Sequence, residues 1–160
     1  MSKYITHAGY EKIRNEIDTL QKQLRGEIAR KVGEAASRGD LHENAEYEAA
    51  KQQQHLTARR LQELGELIQG VEIIENLDLP EGVVTVGKTI HLRNLDNDRL
   101  DIYTILGPVE SDIDKNIISY ETPIARQLML NKEGEEVEIH VPAGTIRYRI
   151  EKIEKYHPEL

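Results

Sequence analysis

Arg38-Gly39-Asp40-Leu41-His42-Glu43-Asn44-Ala45-Glu46-Tyr47 stands between two long stretches of helical periodicity. On its N-terminal side apolar residues recur at Tyr10, Ile13, Ile17, Leu20, Leu24, Ile28, Val32 and Ala35, in steps of three or four. On its C-terminal side Thr57, Leu61, Leu64, Ile68 and Val71 repeat the pattern. Such steps put side chains along one face of a helix, close to a heptad stripe. Two stripes joined by a short polar interruption predict an antiparallel helical hairpin. Thr6 is the expected N-cap of the first helix, and the second should run from Glu43 or Asn44 to Ile74. Each arm of about 30 residues would span roughly 45 Å. Small residues gather beside the interruption: Ala29, Gly33, Ala35 and Ala36 before it, Ala45, Ala49 and Ala50 after it. They let the two backbones approach closely and predict a slender far end.

The composition breaks at Glu75-Asn76-Leu77-Asp78-Leu79-Pro80-Glu81-Gly82. No proline lies between Thr6 and Asn76, where good helix formers dominate; beyond it prolines, glycines and β-branched residues arrive together. This divides the chain into a coiled-coil finger (1–76), a linker (77–82) and a globular domain (83–160). In the last part, strands are expected at Val83–Val86 leading to Thr89–Arg93, at Leu100–Leu106, at Asn116–Tyr120, at Glu136–Val141 and at Thr145–Ile153. The last two alternate strictly and are joined by a hairpin at Pro142-Ala143-Gly144. Thr122-Pro123 has a capping threonine followed by proline at the first helical position, so a short helix should begin there. The expected fold class is α+β: the helical hairpin, then an antiparallel sheet with one wet face and one short helix on the other. Arg147, Arg149 and Lys152 belong on the wet face.

The chain has 160 residues, 21 Lys plus Arg against 29 Asp plus Glu, and a net charge of -8. That balance argues against free DNA or an anionic membrane as the main partner. Zero cysteine excludes disulfides and thiolate metal sites and fits a reducing compartment. Without a signal-like N-terminus or an apolar run of spanning length, cytoplasm is the expected location and no membrane partner is expected. The six histidines are scattered without metal-site spacing, and no Gly-rich phosphate loop occurs.

Asp40 and Glu43 are the candidate chemical groups. Three positions apart at a helix start, both carboxylates would face one side. Asp40-Leu41-His42-Glu43 also has the spacing of a capping box, so the pair could serve simply to begin the second helix. A carboxylate pair equally suits Mg²⁺, a hard ion that takes oxygen ligands, although two carboxylates do not complete its shell. Both readings stay open on the residues alone.

Gly39-Asp40-Leu41-His42-Glu43-Asn44-Ala45-Glu46-Tyr47, continued by Ala49-Ala50-Lys51 and Gln52-Gln53, resembles the hairpin tip of the bacterial Gre transcript-cleavage factors. Val86-Gly87, Ile105-Leu106-Gly107 and Ser119-Tyr120-Glu121-Thr122-Pro123-Ile124-Ala125-Arg126 resemble that family's globular domain, in the family's order. The resemblance covers nearly the whole chain, and the tip and the acidic balance favour the family's A-type branch. It implies a globular domain resembling FK506-binding proteins that docks on bacterial RNA polymerase, and a finger that enters the secondary channel. The tip would then help the polymerase cut backtracked RNA near its 3′ end, so the chain would stimulate an enzyme without being one. Asp40 and Glu43 would hold Mg²⁺ jointly with the polymerase, with no cofactor in the free protein. Asn44, Glu46, Tyr47 and Lys51 would support the tip or contact RNA: Lys51 a phosphate, Tyr47 a base. Helix packing for Tyr47, and a solvated helix face for Glu46 and Lys51, remain the bland alternatives. Arg59 and Arg60 are read as solvated. Asn131 stands where the family usually has Gly, at a position suited to left-handed backbone. The free protein is expected to be a monomer. Two other accounts compete: a channel-binding regulator without cleavage stimulation, and a structural coiled-coil adaptor.

Overall fold

A computed structural model describes residues 3–37 and 45–158. Asp40, Glu43 and Asn44, and with them Arg38 and His42, lie outside the described residues. The chain divides into two compact units, one of Tyr10–Gln69 and one of Met1–Gly9 with Gly70–Leu160.

The first unit is helical: α1 (His7–Gln23, begun in the other unit), a π-helical stretch (Leu24–Ile28), α2 (Ala29–Ser37) and α3 (Ala45–Ile68). Ile13, Ile17, Ile28 and Ala35 are buried, as are Ala50 and Leu64 on α3. Every other member of the first apolar series is at least half-buried. The π-helical stretch answers an irregularity in that series. Leu20, Leu24, Ile28 and Val32 are separated by three steps of four, which would rotate the stripe about 120° around an ideal α-helix. A wider turn holds more residues per revolution and returns the stripe to its face. Arg60 of α3 meets Glu16 of α1 at 3.1 Å, while Ala35 of α2 and Ala49 and Ala50 of α3 line one cleft. Low numbers thus meet high ones at one end and the numbers converge toward the other, so the helices run antiparallel. Thr6 caps α1 as expected, its Oγ1 accepting from the Gly9 amide at 3.0 Å.

The second unit holds two sheets. β1 (Lys3–Ile5) runs parallel to β2 (Val71–Ile73), with Lys3 opposite Val71 and Ile5 opposite Ile73. The expectation that the second helix continues to Ile74 is therefore corrected. Gly70 takes φ 73°, the left-handed conformation that ends helices, and Val71-Glu72-Ile73 has the alternation of a strand. The main sheet has the order β5-β4-β3-β7-β6, from β3 (Lys88–Asn94), β4 (Leu100–Leu106), β5 (Ile117–Ser119), β6 (Glu136–Val141) and β7 (Gly144–Lys155). It is mixed, not wholly antiparallel: β5 lies parallel to β4, because residues 107–116 carry the chain back before it pairs.

Three further expectations change. Val83–Val86 is not a ladder strand. It makes a single bridge through Val83 to Lys132, and buries Val84 and Val86 in the core before Gly87 (φ 83°) turns the chain into β3. The strict alternation expected over Thr145–Ile153 is broken by a register shift opposite His91 and Leu92. Ile150 pairs with Leu92 and Ile153 with Ile90, so Glu151 is the extra residue of a bulge and both isoleucines reach the core. The left-handed residue near the end of α4 (Pro123–Leu128) is Leu130, φ 66°, and not Asn131. Asn131 instead donates its side-chain amide to the carbonyls of Gln127 and Leu128, at 3.0 Å each, closing the helix end.

Ala125 and Leu128 of α4 pack with Val84, Ile90, Leu92, Ile105, Ile139, Tyr148 and Ile150 as the main core. A second cluster of Ile74, Val86, Leu106 and Ile117 is joined by Tyr4, Leu79 and Tyr156. Thr122 caps α4 through the Ala125 amide, as its sequence required. The opposite sheet face is wet and laced with ion pairs: Arg93–Glu151 at 2.9 Å, His91–Glu154 at 3.1 Å, Arg147–Asp96 at 3.0 Å and Arg149–Glu136 at 3.4 Å. The hydrogen bond from Arg93 holds the Glu151 carboxyl below its ordinary range, and that from His91, then Lys152, does the same for Glu154.

Candidate functional site

α3 begins with Ala45 and carries Glu46 and Glu48 in its first turn, where carboxylates complement the exposed amide ends of a helix. Residues 38–44 connect α2 to this turn in the sequence. Of the six candidate residues, Glu46, Tyr47 and Lys51 are therefore the ones the structure places.

They do not share one surface. Glu46 is exposed and lines a cleft of about 360 Å³ with Lys31, Glu34, Ala35 and Ala50. Tyr47 and Lys51, one helical turn apart, line a broader concavity of about 910 Å³ along α3, together with His55, Leu56 and Arg59. Lys51 is half-buried, and its ammonium donates to the Gln54 side chain at 3.0 Å, which fixes the direction of its stem. Arg59 meets Glu63 at 3.8 Å and Arg60 is tied to Glu16, so the solvated reading fits Arg59 while Arg60 joins two helices.

Two residues on this surface escaped the sequence reading. Gln54 orients Lys51, and Leu56 is 58% exposed. Leu56 could have been noticed, because it falls off the Thr57–Leu61–Leu64 stripe and so cannot face the hairpin seam. Among the described residues no three carboxylate or histidine side chains gather where they could hold a metal. Asp40 and Glu43 in the connecting sequence, and Glu46 and Glu48 in the first turn of α3, are hard oxygen donors by type.

The sequence matches two family models end to end: residues 3–73 fit "Transcription elongation factor, N-terminal", and residues 79–155 fit "Transcription elongation factor, GreA/GreB, C-term". The chain belongs to the GreA/GreB family. Among its relatives, the transcription elongation factor GreA of Thermosipho africanus is 41% identical over 149 residues, covering 93% of this chain and 94% of that protein. GreA of Nautilia profundicola is 38% identical over 153 residues, covering 96% and 92%. The A-type branch is thus the one these relatives represent. Solved structures with likeness to this one include GreA factor homolog 1 (Gfh1) of Thermus thermophilus, with 22% identity, coverage of 96% and 99%, and a TM-score of 0.43. The GreA/GreB factor of Nitrosomonas europaea has 20% identity, coverage of 97% and 100%, and a TM-score of 0.43. The Gre assignment rests on the sequence matches. Among the described residues no helix is long and apolar enough to cross a membrane.

Proposed function

We propose that this Gre-family chain is a cytoplasmic, monomeric elongation factor that binds bacterial RNA polymerase, enters its secondary channel and stimulates cleavage of backtracked RNA. The observation that supports this reading is the family match to elongation factors, in a chain whose sequence carries Asp40 and Glu43 between two helices packed antiparallel. A thin hairpin with small residues at Ala35, Ala49 and Ala50 suits a narrow channel. Mg²⁺ held jointly with the polymerase supplies charge stabilisation to the attacking and leaving oxygens of phosphodiester hydrolysis. Asp40 and Glu43 contribute carboxylate oxygens to that joint site and accept hydrogen bonds from the attacking water. Asn44 supports the tip, through its turn geometry or a hydrogen bond. Lys51, steadied by Gln54, neutralises an RNA phosphate without reading sequence, and Tyr47, one turn away, stacks on a base. Glu46, on the other side of α3, faces the polymerase.

The test is the cleavage rate in stalled, backtracked complexes at saturating factor, with binding measured separately. Asp40→Asn keeps a good N-cap and Glu43→Gln keeps the capping-box geometry, while each removes a charge. Both variants should bind polymerase and lose at least about tenfold in rate, equivalent to about 1.4 kcal/mol of transition-state stabilisation. Near-normal rates in both would reject the carboxylates as the chemical contribution and favour a regulator or adaptor.

A further inference from the structure

Below the ladder of ion pairs on the wet sheet face lies a cavity of about 650 Å³ that the transcript-cleavage reading does not use. It is bordered by Thr89 and Thr104 on β3 and β4, by Lys115, and by Lys155, Tyr156 and His157 at the end of β7. All of these belong to the sheet-bearing unit.

The charges in this cavity are unbalanced. Lys115, Lys155 and His157 make no ion pair among the described residues, although the whole chain carries -8. Glu154 also borders the space, but its oxygens are taken: Oε1 by His91 Nε2 at 3.1 Å and Oε2 by Lys152 Nζ at 3.1 Å. Two lysines and a histidine without ion pairs on the border of one concavity favour an anion there. The Thr89 and Thr104 hydroxyls lie 2.8 Å apart. One donates to the other, which leaves the second hydroxyl hydrogen free to donate outward. The remaining wall is apolar: Ile117 and Tyr156 are held in the cluster with Ile74, Val86 and Leu106, and Pro158 closes the rim. The volume lies within the about 300–1,000 Å³ of ordinary small-molecule sites.

We infer that this cavity binds a nucleoside polyphosphate, with its phosphates on Lys115, Lys155 and His157, a sugar or phosphate oxygen on the threonine pair, and its base against Tyr156 and Pro158. A bare anion would leave the apolar wall unused, and an uncharged nucleoside would leave the lysines unpaired. Nothing in this inference requires the polymerase.

The experiment uses the full-length protein, ¹⁵N-labelled for NMR and unlabelled for calorimetry. ATP, GTP, guanosine, inorganic tripolyphosphate and a short single-stranded RNA are titrated separately at fixed ionic strength. A nucleoside triphosphate should shift the amides of Thr89, Thr104, Lys115, Lys155 and His157 saturably. It should bind at least about tenfold more tightly than guanosine or tripolyphosphate, since each lacks one half of the contacts. The double variant Lys115→Ala, Lys155→Ala should weaken binding by about tenfold or more with an unchanged thermal midpoint, and the Arg, Arg double variant should keep it. The inference is overturned if no saturable shift occurs at millimolar nucleotide, or if the shifts follow surface lysines in general and survive the Ala substitutions. Equal or tighter binding of tripolyphosphate overturns the nucleotide assignment, and preference for the RNA strand overturns the small ligand.

Discussion

Gly107 is where the first residues of the chain meet the sheet. A methyl group at this position would overlap the carbonyl oxygen of Tyr4 in β1, and that is backbone, which cannot step aside as a side chain does. The contact is reinforced nearby: Tyr4 meets Tyr120 edge-on with centroids 5.7 Å apart, and Glu110 accepts from the Thr6 amide at 2.7 Å. Gly107→Ala should therefore destabilise the protein by about 1–3 kcal/mol, as overpacking does. Urea denaturation will measure the loss, and faster proteolysis at the N-terminus will show that β1 has left its place. Tyr148 poses a different problem. Its hydroxyl donates to Asp101 at 2.8 Å, and burial first, then that bond, raises its pKa well above the ordinary tyrosine value. The folded state thus holds the phenol proton more tightly than the unfolded state does. The corresponding stability is complete below about pH 10, the unfolded value, and is lost as pH rises beyond it toward the folded value. Tyr103 and Tyr120 shift in the same direction, so stability should fall over several ionisations. Tyr148→Phe should lower stability at neutral pH by about 1–3 kcal/mol, because Asp101 loses its donor, and should flatten the alkaline slope by about one proton. Unfolding curves from pH 8 to 12 in both proteins check the sign; an unchanged slope would show that Tyr148 titrates alike in both states.

Elements governed by one uninterrupted local rule are legible in the sequence. β4 and β6 have the bounds their alternation implies, and Thr122-Pro123 opens α4 because a cap and a preset φ act within four residues. Elements that depend on a distant partner are not legible in this way. Val71-Glu72-Ile73 extends the spacing of a helical stripe, and becomes a strand because Lys3–Ile5 lies alongside it. β5 is parallel for a reason that sits in the path of residues 107–116, not in its own three residues. The bulge at Glu151 is visible as Ile150 and Ile153 spaced by three, a break in period two that an assumption of strict alternation hides. The π-helical stretch is likewise written in three consecutive steps of four. At the site, Glu46, Tyr47 and Lys51 read as one group in the sequence. Helical geometry splits them, since neighbours 46 and 47 diverge by about 100° while 47 and 51 nearly align. The connection that carries Asp40 and Glu43 is not decided by its own residues, because one spacing serves both a capping box and a carboxylate pair for a hard cation.

Cutting the molecule into working parts is the sternest use of its architecture. Composition places the break near Asn76, and the two family matches meet between residues 73 and 79. The compact sheet-bearing unit starts earlier, at Gly70, and also takes in the first nine residues. The difference has energetic content. Ile74 is buried with Val86, Leu106 and Ile117, and its Cγ2 comes within 2.6 Å of where a side chain on Gly87 would sit. A fragment of residues 80–160 discards Ile74, Leu79 and both strands of the small sheet. Losing one buried isoleucine costs about 2–5 kcal/mol, which is a large share of the about 5–15 kcal/mol that holds a domain of this size. A fragment of residues 70–160 keeps Ile74 but leaves β2 without β1. The expected order of thermal midpoints is therefore 80–160 lowest, 70–160 intermediate, and 70–160 with residues 1–9 joined ahead of Gly70 by a flexible linker highest. All three should give a sheet spectrum by circular dichroism, since β3 to β7 and α4 are present in each. In polymerase-binding competition against the full chain, the linked fragment should compete best and none should stimulate cleavage, because each lacks Asp40 and Glu43. Equal midpoints for 80–160 and the linked fragment would show that β1, β2 and Ile74 add nothing to the stability of the sheet, and would return the boundary to the composition break.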